Sequence, residues 1–173
     1  MFPLGILREP ISALSRADIV VLDSSQEVVS ERLRDFLSCH EHYTFKSYGV
    51  ALCNGDIRYS KNVNDLKGID VLLVSAIANP DRFRRMVESL EWRVVNHLIY
   101  RDHHSYSSTD LTYILEKAGG ATVVFTEKDW VKLAPEFQQR PDIFFLSMKL
   151  KVDKSETFLK GLLEKLDMHG SQQ

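Results

Sequence analysis

The densest chemistry in this sequence is Asp102-His103-His104-Ser105-Tyr106. An imidazole held by a carboxylate has its tautomer fixed and its basicity raised, which suits general acid–base work or metal ligation. The plainer reading is that Asp102 and Ser105 start the next helix and leave the histidines solvated. Thr126-Glu127-Lys128-Asp129 offers N–H groups at a helix start together with a lysine, a cradle for phosphate. The same four residues also read as a capping box. In Ala78-Asn79-Pro80-Asp81-Arg82-Phe83, Asn79 and Pro80 open a helix, and Arg82 reaches from its first turn toward an anion or simply stands in water. Leu7-Arg8-Glu9-Pro10 sets a charged pair between apolar residues and a proline. Its guanidinium suits bidentate capture of phosphate or carboxylate, and the alternative is a surface salt bridge. His40 and His42 have no third ligand nearby, so no metal site is expected, and His97 reads as a core or edge histidine.

The elements that position these clusters follow from periodicity. Ala17 to Leu22 is a short buried strand, and Ser24 or Ser25 caps a helix from about Gln26 to Cys39. Two β-like runs follow, Tyr43 to Leu52 and Ile57 to Ser60, joined by the hairpin signal Asn54-Gly55-Asp56. From Ile69 onward strands and helices alternate. Val71 to Val74, Arg93 to Tyr100, Thr122 to Phe125 and Ile143 to Leu146 are the strands. The helices run from Asn79 to about Leu90, from Ser107 or Ser108 to Gly119-Gly120, from Lys128 to Leu133, and from Ser155 to Leu166. In the last, Phe158, Leu159, Leu162, Leu163 and Leu166 form one stripe that reads as core packing.

Apolar strands alternating with amphipathic helices predict an α/β fold, a Rossmann-like and mostly parallel sheet covered on both faces. The hairpin near 43–60 reads as an excursion from that sheet or a linker. Such sheets bind ligands outside the carboxyl ends of their strands, where the three polar clusters beginning at Ala78, Asp102 and Thr126 all fall.

A chain of 173 residues fits one domain, 1–173, with a real core. A net charge of -2 argues against a nucleic-acid surface. Cys39 and Cys53 stand apart, as free thiols in a reducing cytoplasm do. Met1 to Glu9 lacks the basic start of a secretory leader, and no apolar run approaches the ~20 residues of a membrane span. A soluble protein, at most resting on a membrane, is expected.

These clusters, in this order, resemble the lipid A 4′-kinases (tetraacyldisaccharide 4′-kinases), over the C-terminal half of that family. Pro3 to Pro10 is similar to the family's Leu-Arg-Glu-Pro segment, and Arg16-Ala17-Asp18 continues the match. Ile77 to Phe83 resembles its Gly-Ile-Gly-Asn-Pro-x-Arg-Phe element, with Ala78 in place of a glycine; Ser75 also stands where glycine is more usual. Asp102-His103-His104-Ser105-Tyr106 resembles its Asp-His-His-x-Tyr, and Thr126 to Asp129 its Thr-Glu-Lys-Asp; Arg101 and Trp130 depart from the family's habit.

The resemblance implies phosphorylation of the 4′-hydroxyl of the lipid A disaccharide precursor by ATP with Mg²⁺, at the cytoplasmic side of the inner membrane. It implies that His103, beside Asp102, orients or helps deprotonate a carboxylate from the other half of the enzyme, and that Arg8 and Glu9 line the cleft. Asn79, Arg82, His104, Thr126, Lys128 and Asp129 are the candidates for holding substrate or phosphate. The family's N-terminal domain binds ATP through a P-loop, whereas no G-x-x-x-x-G-K-[ST] occurs in these residues. This chain alone is therefore expected to be inactive and to bind no cofactor tightly, its P-loop domain being a partner in the same gene or a separate chain. Two rivals are a non-catalytic remnant or docking domain, and a metal-dependent phosphoesterase of the Asp-His-His kind. The latter needs an Asp-x-Asp that the sequence lacks.

Overall fold

The computed structural model describes residues 9–24, 30–55 and 60–170. Its elements are β1 (Val20–Asp23), α1 (Glu31–Cys39), β2 (His42–Cys53), β3 (Ser60–Asn62), β4 (Asp70–Ser75), α2 (Pro80–Glu88), β5 (Arg93–Ile99), α3 (Ser108–Ala118), β6 (Thr122–Thr126), α4 (Glu127–Trp130), α5 (Pro135–Gln138), β7 (Ile143–Val152) and α6 (Ser155–Gly170). Internal contacts divide the chain into two compact units. One holds residues 1–46 and 150–173, the other residues 47–149.

The unit of residues 47–149 contains both hydrophobic clusters. Its strands β7, β6, β4 and β5 are neighbours in that order and pair in parallel. Alternation decides the layers, because successive strand side chains point to opposite faces. Leu72 and Val74 of β4, with Val123 and Phe125 of β6, pack on Leu111, Ile114 and Ala118 of α3. Val71, Leu73 and Val124 pack on Phe83 and Val87 of α2. Each of the four residues Val71 to Val74 is fully buried. Burying such side chains contributes roughly 1.5–3 kcal/mol apiece, which explains why an all-apolar run becomes the central strand.

The helix boundaries have local causes. Asn79 caps α2 by accepting from Arg82 N at 3.1 Å, and Pro80 supplies the first helical residue. Ser107 and Asp110 form a reciprocal capping box on α3, and Gly119 ends that helix with φ +55°. The hairpin of β2 and β3 is antiparallel, with Ala51 opposite Asn62 and Cys53 opposite Ser60. β2 does not leave the sheet as an excursion: it is β7's neighbour in the strand order, and only β3 stands off that path.

The other unit is built differently. β1 pairs in parallel with the first residues of β2, Val20 to Asp23 against His42 to Phe45. Its described residues bury only three hydrophobic side chains, Val20, Leu37 and Tyr43. Helix α6 corrects the reading of its stripe as core. Phe158 is half-buried, edge-on to Tyr43 at 5.1 Å between ring centroids. Leu159, Leu162, Leu163 and Leu166 instead stand 54%, 36%, 60% and 59% exposed. Periodicity fixes which residues share a helix face, but not what lies opposite that face.

Candidate functional site

Three loops leave the carboxyl ends of the parallel strands β4, β5 and β6, and backbone and buried polar bonds lock them together. Tyr100 N donates to Ser75 O at 2.8 Å, joining the ends of β5 and β4. Ala76 N donates to Asp129 Oδ2 at 2.9 Å, joining the end of β4 to the start of α4. The Tyr106 ring meets Phe125 of β6 edge-on at 5.3 Å. The carboxyl edge expected from the sequence is thus where the three clusters meet.

Their roles at that edge differ from one residue to the next. Asp102 and His103 face solvent, with side chains 50% and 88% exposed and His103 Nε2 3.8 Å from Asp102 Oδ2. The His103 amide donates to Asp102 Oδ1 at 3.0 Å, and its φ of +61° is the left-handed turn that lifts the imidazole clear of the edge. This pair is the most accessible part of the Asp102–Tyr106 loop's ionisable groups.

His104 is held rather than presented. Its Nε2 lies 3.2 Å from Asp110 Oδ2, and its ring stacks on Tyr100 at 4.6 Å and meets Tyr106 edge-on at 5.1 Å. Burial, followed by the charge of Asp129, pushes the Tyr106 phenol above its ordinary pKa, so it stays neutral. Asp110 is held below the usual carboxylate range, first by the Ser107 amide and hydroxyl and then by His104. Asp110 and Tyr100 were not among the residues picked from the sequence. The Ser107-x-x-Asp110 spacing, a capping-box signature, was the available signal for Asp110.

Thr126 and Asp129 turn inward instead of cradling phosphate. Asp129 is fully buried. Its Oδ2 accepts from the Thr126 hydroxyl at 2.6 Å and from Ala76 N, and its Oδ1 accepts from Lys132 Nζ at 2.9 Å. With three donors on a fully buried carboxylate, Asp129 ties the loop after β4 to the start of α4. Lys128, on the same turn, is exposed. Asn79 is likewise a cap, exposed at its helix end. Arg82 is half-buried, with Nη2 donating to Ser47 Oγ at 2.6 Å. Glu9 belongs to the other unit, where it pairs with Arg16 in an exposed ion pair. Arg8 lies outside the described residues.

Among the described residues no three His, Cys, Asp or Glu groups gather to hold a metal ion. No described helix is long and apolar enough to cross a membrane. The edge therefore offers an exposed Asp–His pair, an exposed lysine and a half-buried arginine beside the buried hydrogen-bond network of Thr126, Asp129 and Ala76 N.

Comparison with known proteins places this arrangement in a family. The tetraacyldisaccharide 4′-kinase of Syntrophus aciditrophicus is 31% identical over 180 residues, covering 95% of this chain and 48% of the relative. That of Flavobacterium johnsoniae is 36% identical over 141 residues, covering 77% of this chain and 40% of the relative. The crystal structure of "apo" form LpxK from Aquifex aeolicus in complex with ATP matches the fold with a TM-score of 0.63 at 22% identity, over 95% of this chain and 47% of that one. The chain thus spans about half the length of the relatives it matches. The model of the family described as LpxK, tetraacyldisaccharide-1-P 4′-kinase, matches residues 1–167, and the chain belongs to that family.

Proposed function

We propose that this chain is the C-terminal part of a tetraacyldisaccharide 4′-kinase, contributing to phosphorylation of the 4′-hydroxyl of the lipid A disaccharide precursor. The family match over residues 1–167 carries the reading, and the exposed Asp102–His103 pair at the carboxyl edge supports it. ATP supplies the phosphoryl group, and Mg²⁺ neutralises charge on its phosphates. Neither is assigned to this chain: it has no G-x-x-x-x-G-K-[ST], and its described residues gather no metal ligands. A P-loop half outside these residues, on the same polypeptide or a second one, holds them. His103 orients a carboxylate of that half or takes up its proton, with Asp102 fixing the imidazole. Lys128, Arg82, Arg8 and Glu9 contact phosphate or sugar. Asn79, His104, Thr126 and Asp129 hold the loops that present them. The substrate's acyl chains place the protein at the inner face of the inner membrane as a peripheral protein.

The test combines the chain with a P-loop half and follows ATP-dependent phosphate transfer to the disaccharide. Turnover is expected for the combination and none for the 173 residues alone; clear turnover by the chain alone would contradict the division of labour. His103→Ala in the complete enzyme is expected to lower kcat by about 100-fold or more. Survival within a few-fold would remove the catalytic role of His103.

A further inference from the structure

We propose that Tyr106 is a positioning residue for His103, its buried hydroxyl held ready to donate to Asp129. That bond, made in the working state, sets the height of the Asp102–Tyr106 loop over the sheet. The proposal rests on the kinase reading above for what His103 does. Tyr106 is 9% exposed, and its ring meets Tyr100, His104 and Phe125 edge-on at 5.4, 5.1 and 5.3 Å. Its hydroxyl is buried and has no hydrogen-bond partner among the described residues. Leaving such a group unpaired costs folding free energy, and phenylalanine would keep the ring contacts without that cost. A second arrangement, in which the hydroxyl is paired, accounts for a tyrosine at this position.

Asp129 is the acceptor within reach. Phe125, against which Tyr106 packs, immediately precedes Thr126, whose hydroxyl donates to Asp129 Oδ2 at 2.6 Å. The Asp129 charge is also felt at the Tyr106 phenol. A carboxylate offers about four acceptor positions. Ala76 N and Thr126 Oγ1 use Oδ2, and Lys132 Nζ uses Oδ1, which leaves Oδ1 room for a further donor.

The loop is built to transmit such a bond. Its ends are fixed, by Tyr100 N on Ser75 O at 2.8 Å and by the Ser107 cap of α3. Between them His104 N closes a turn on Arg101 O at 3.0 Å, and His103 takes a φ of +61°, a strained backbone for a residue other than glycine. Across residues 101–106 Tyr106 is the one buried side chain. Drawing it toward Asp129 therefore moves the loop, and the His103 imidazole with it.

The experiment compares the full chain with its Tyr106→Phe variant by amide relaxation dispersion, which reads exchange with a minor state on the μs–ms timescale, and by urea denaturation. Exchange at the amides of residues 102–106 is expected in the parent and not in the variant, with the folded-to-unfolded ratio unchanged or raised. Flat profiles in the parent overturn the proposal, as does exchange that survives Tyr106→Phe. A loss of about tenfold or more in that ratio also overturns it, because the hydroxyl is then bonded in the resting chain. Activity is read separately, with the chain combined with a P-loop half. Tyr106→Phe is expected to lower kcat about tenfold at unchanged KM for ATP, and to add nothing to His103→Ala, through which it acts. Unchanged kcat, or losses that add, overturn the positioning role. If the parent combination transfers no phosphate, the kinase reading falls, and the loop exchange alone decides whether the link from Tyr106 to Asp129 stands.

Discussion

One carboxylate oxygen, Asp110 Oδ2, accepts from the Ser107 amide at 2.8 Å, from the Ser107 hydroxyl at 2.7 Å and lies 3.2 Å from His104 Nε2. The cap of α3 and the second histidine of the Asp102-His103-His104 loop are therefore one device. Asp110→Ala is expected to cost about 1 kcal/mol at neutral pH, the usual worth of a helix cap, measured by urea denaturation. Because the folded chain holds the Asp110 carboxyl below its unfolded value of about 3.9, its contribution is complete above that pH. It is lost as pH falls through the folded value. The difference between parent and variant should close below about pH 4, and a difference unchanged down to pH 3 would contradict the assignment.

Asp129 is expected to be the least replaceable polar residue at the edge. It is fully buried and ties Ala76 N, the Thr126 hydroxyl and Lys132 Nζ into one network. Asp129→Ala strands a backbone donor and an ammonium group, and is expected to destabilise by about 3 kcal/mol or more. Exposed Lys128, one residue earlier, should tolerate alanine within about 0.5 kcal/mol. Equal, small losses at both positions would show that the buried network is not holding the loops.

The fold of residues 47–149 was largely legible, because its signals are local. Val71 to Val74 is apolar throughout, Asn79-Pro80 and Ser107 mark helix starts, and Gly119-Gly120 marks a stop. The placement of the three clusters at one edge follows from strand–helix alternation alone. What the clusters do there was less legible. Thr-Glu-Lys-Asp suits a phosphate cradle and a cap equally, and only burial shows that Thr126 and Asp129 face inward. The pairing of His104 with Asp110 spans a loop whose geometry no periodicity records. β7 extends to Val152, beyond the apolar run Ile143 to Leu146, and its second half, alternating lysines with apolar residues, carries the period-2 signal of a strand that the apolar run alone does not. The α6 stripe was found from its spacing, yet its exposure depends on what chain lies opposite.

The last prediction concerns His97 of β5, whose Nε2 lies 2.8 Å from the buried Ser75 Oγ at the end of β4. Burial lowers the His97 pKa, the nearby Arg84 charge lowers it further, and Asp81 offsets part of this. The unfolded chain, with an imidazole pKa near 6.5, therefore takes up a proton before the folded chain does. Stability from neutral His97 is complete above about pH 6.5 and falls as pH drops toward the lower folded value. The urea midpoint of the parent should decline between about pH 7.5 and 5.5 more steeply than that of His97→Gln, which keeps a polar side chain beside Ser75 but cannot take up a proton in this range. The other histidines are common to both proteins and cancel in the comparison. Parallel pH profiles would mean that His97 titrates alike in both states, and that Ser75 of β4 and Phe83 of α2, its neighbours, do not hold it neutral.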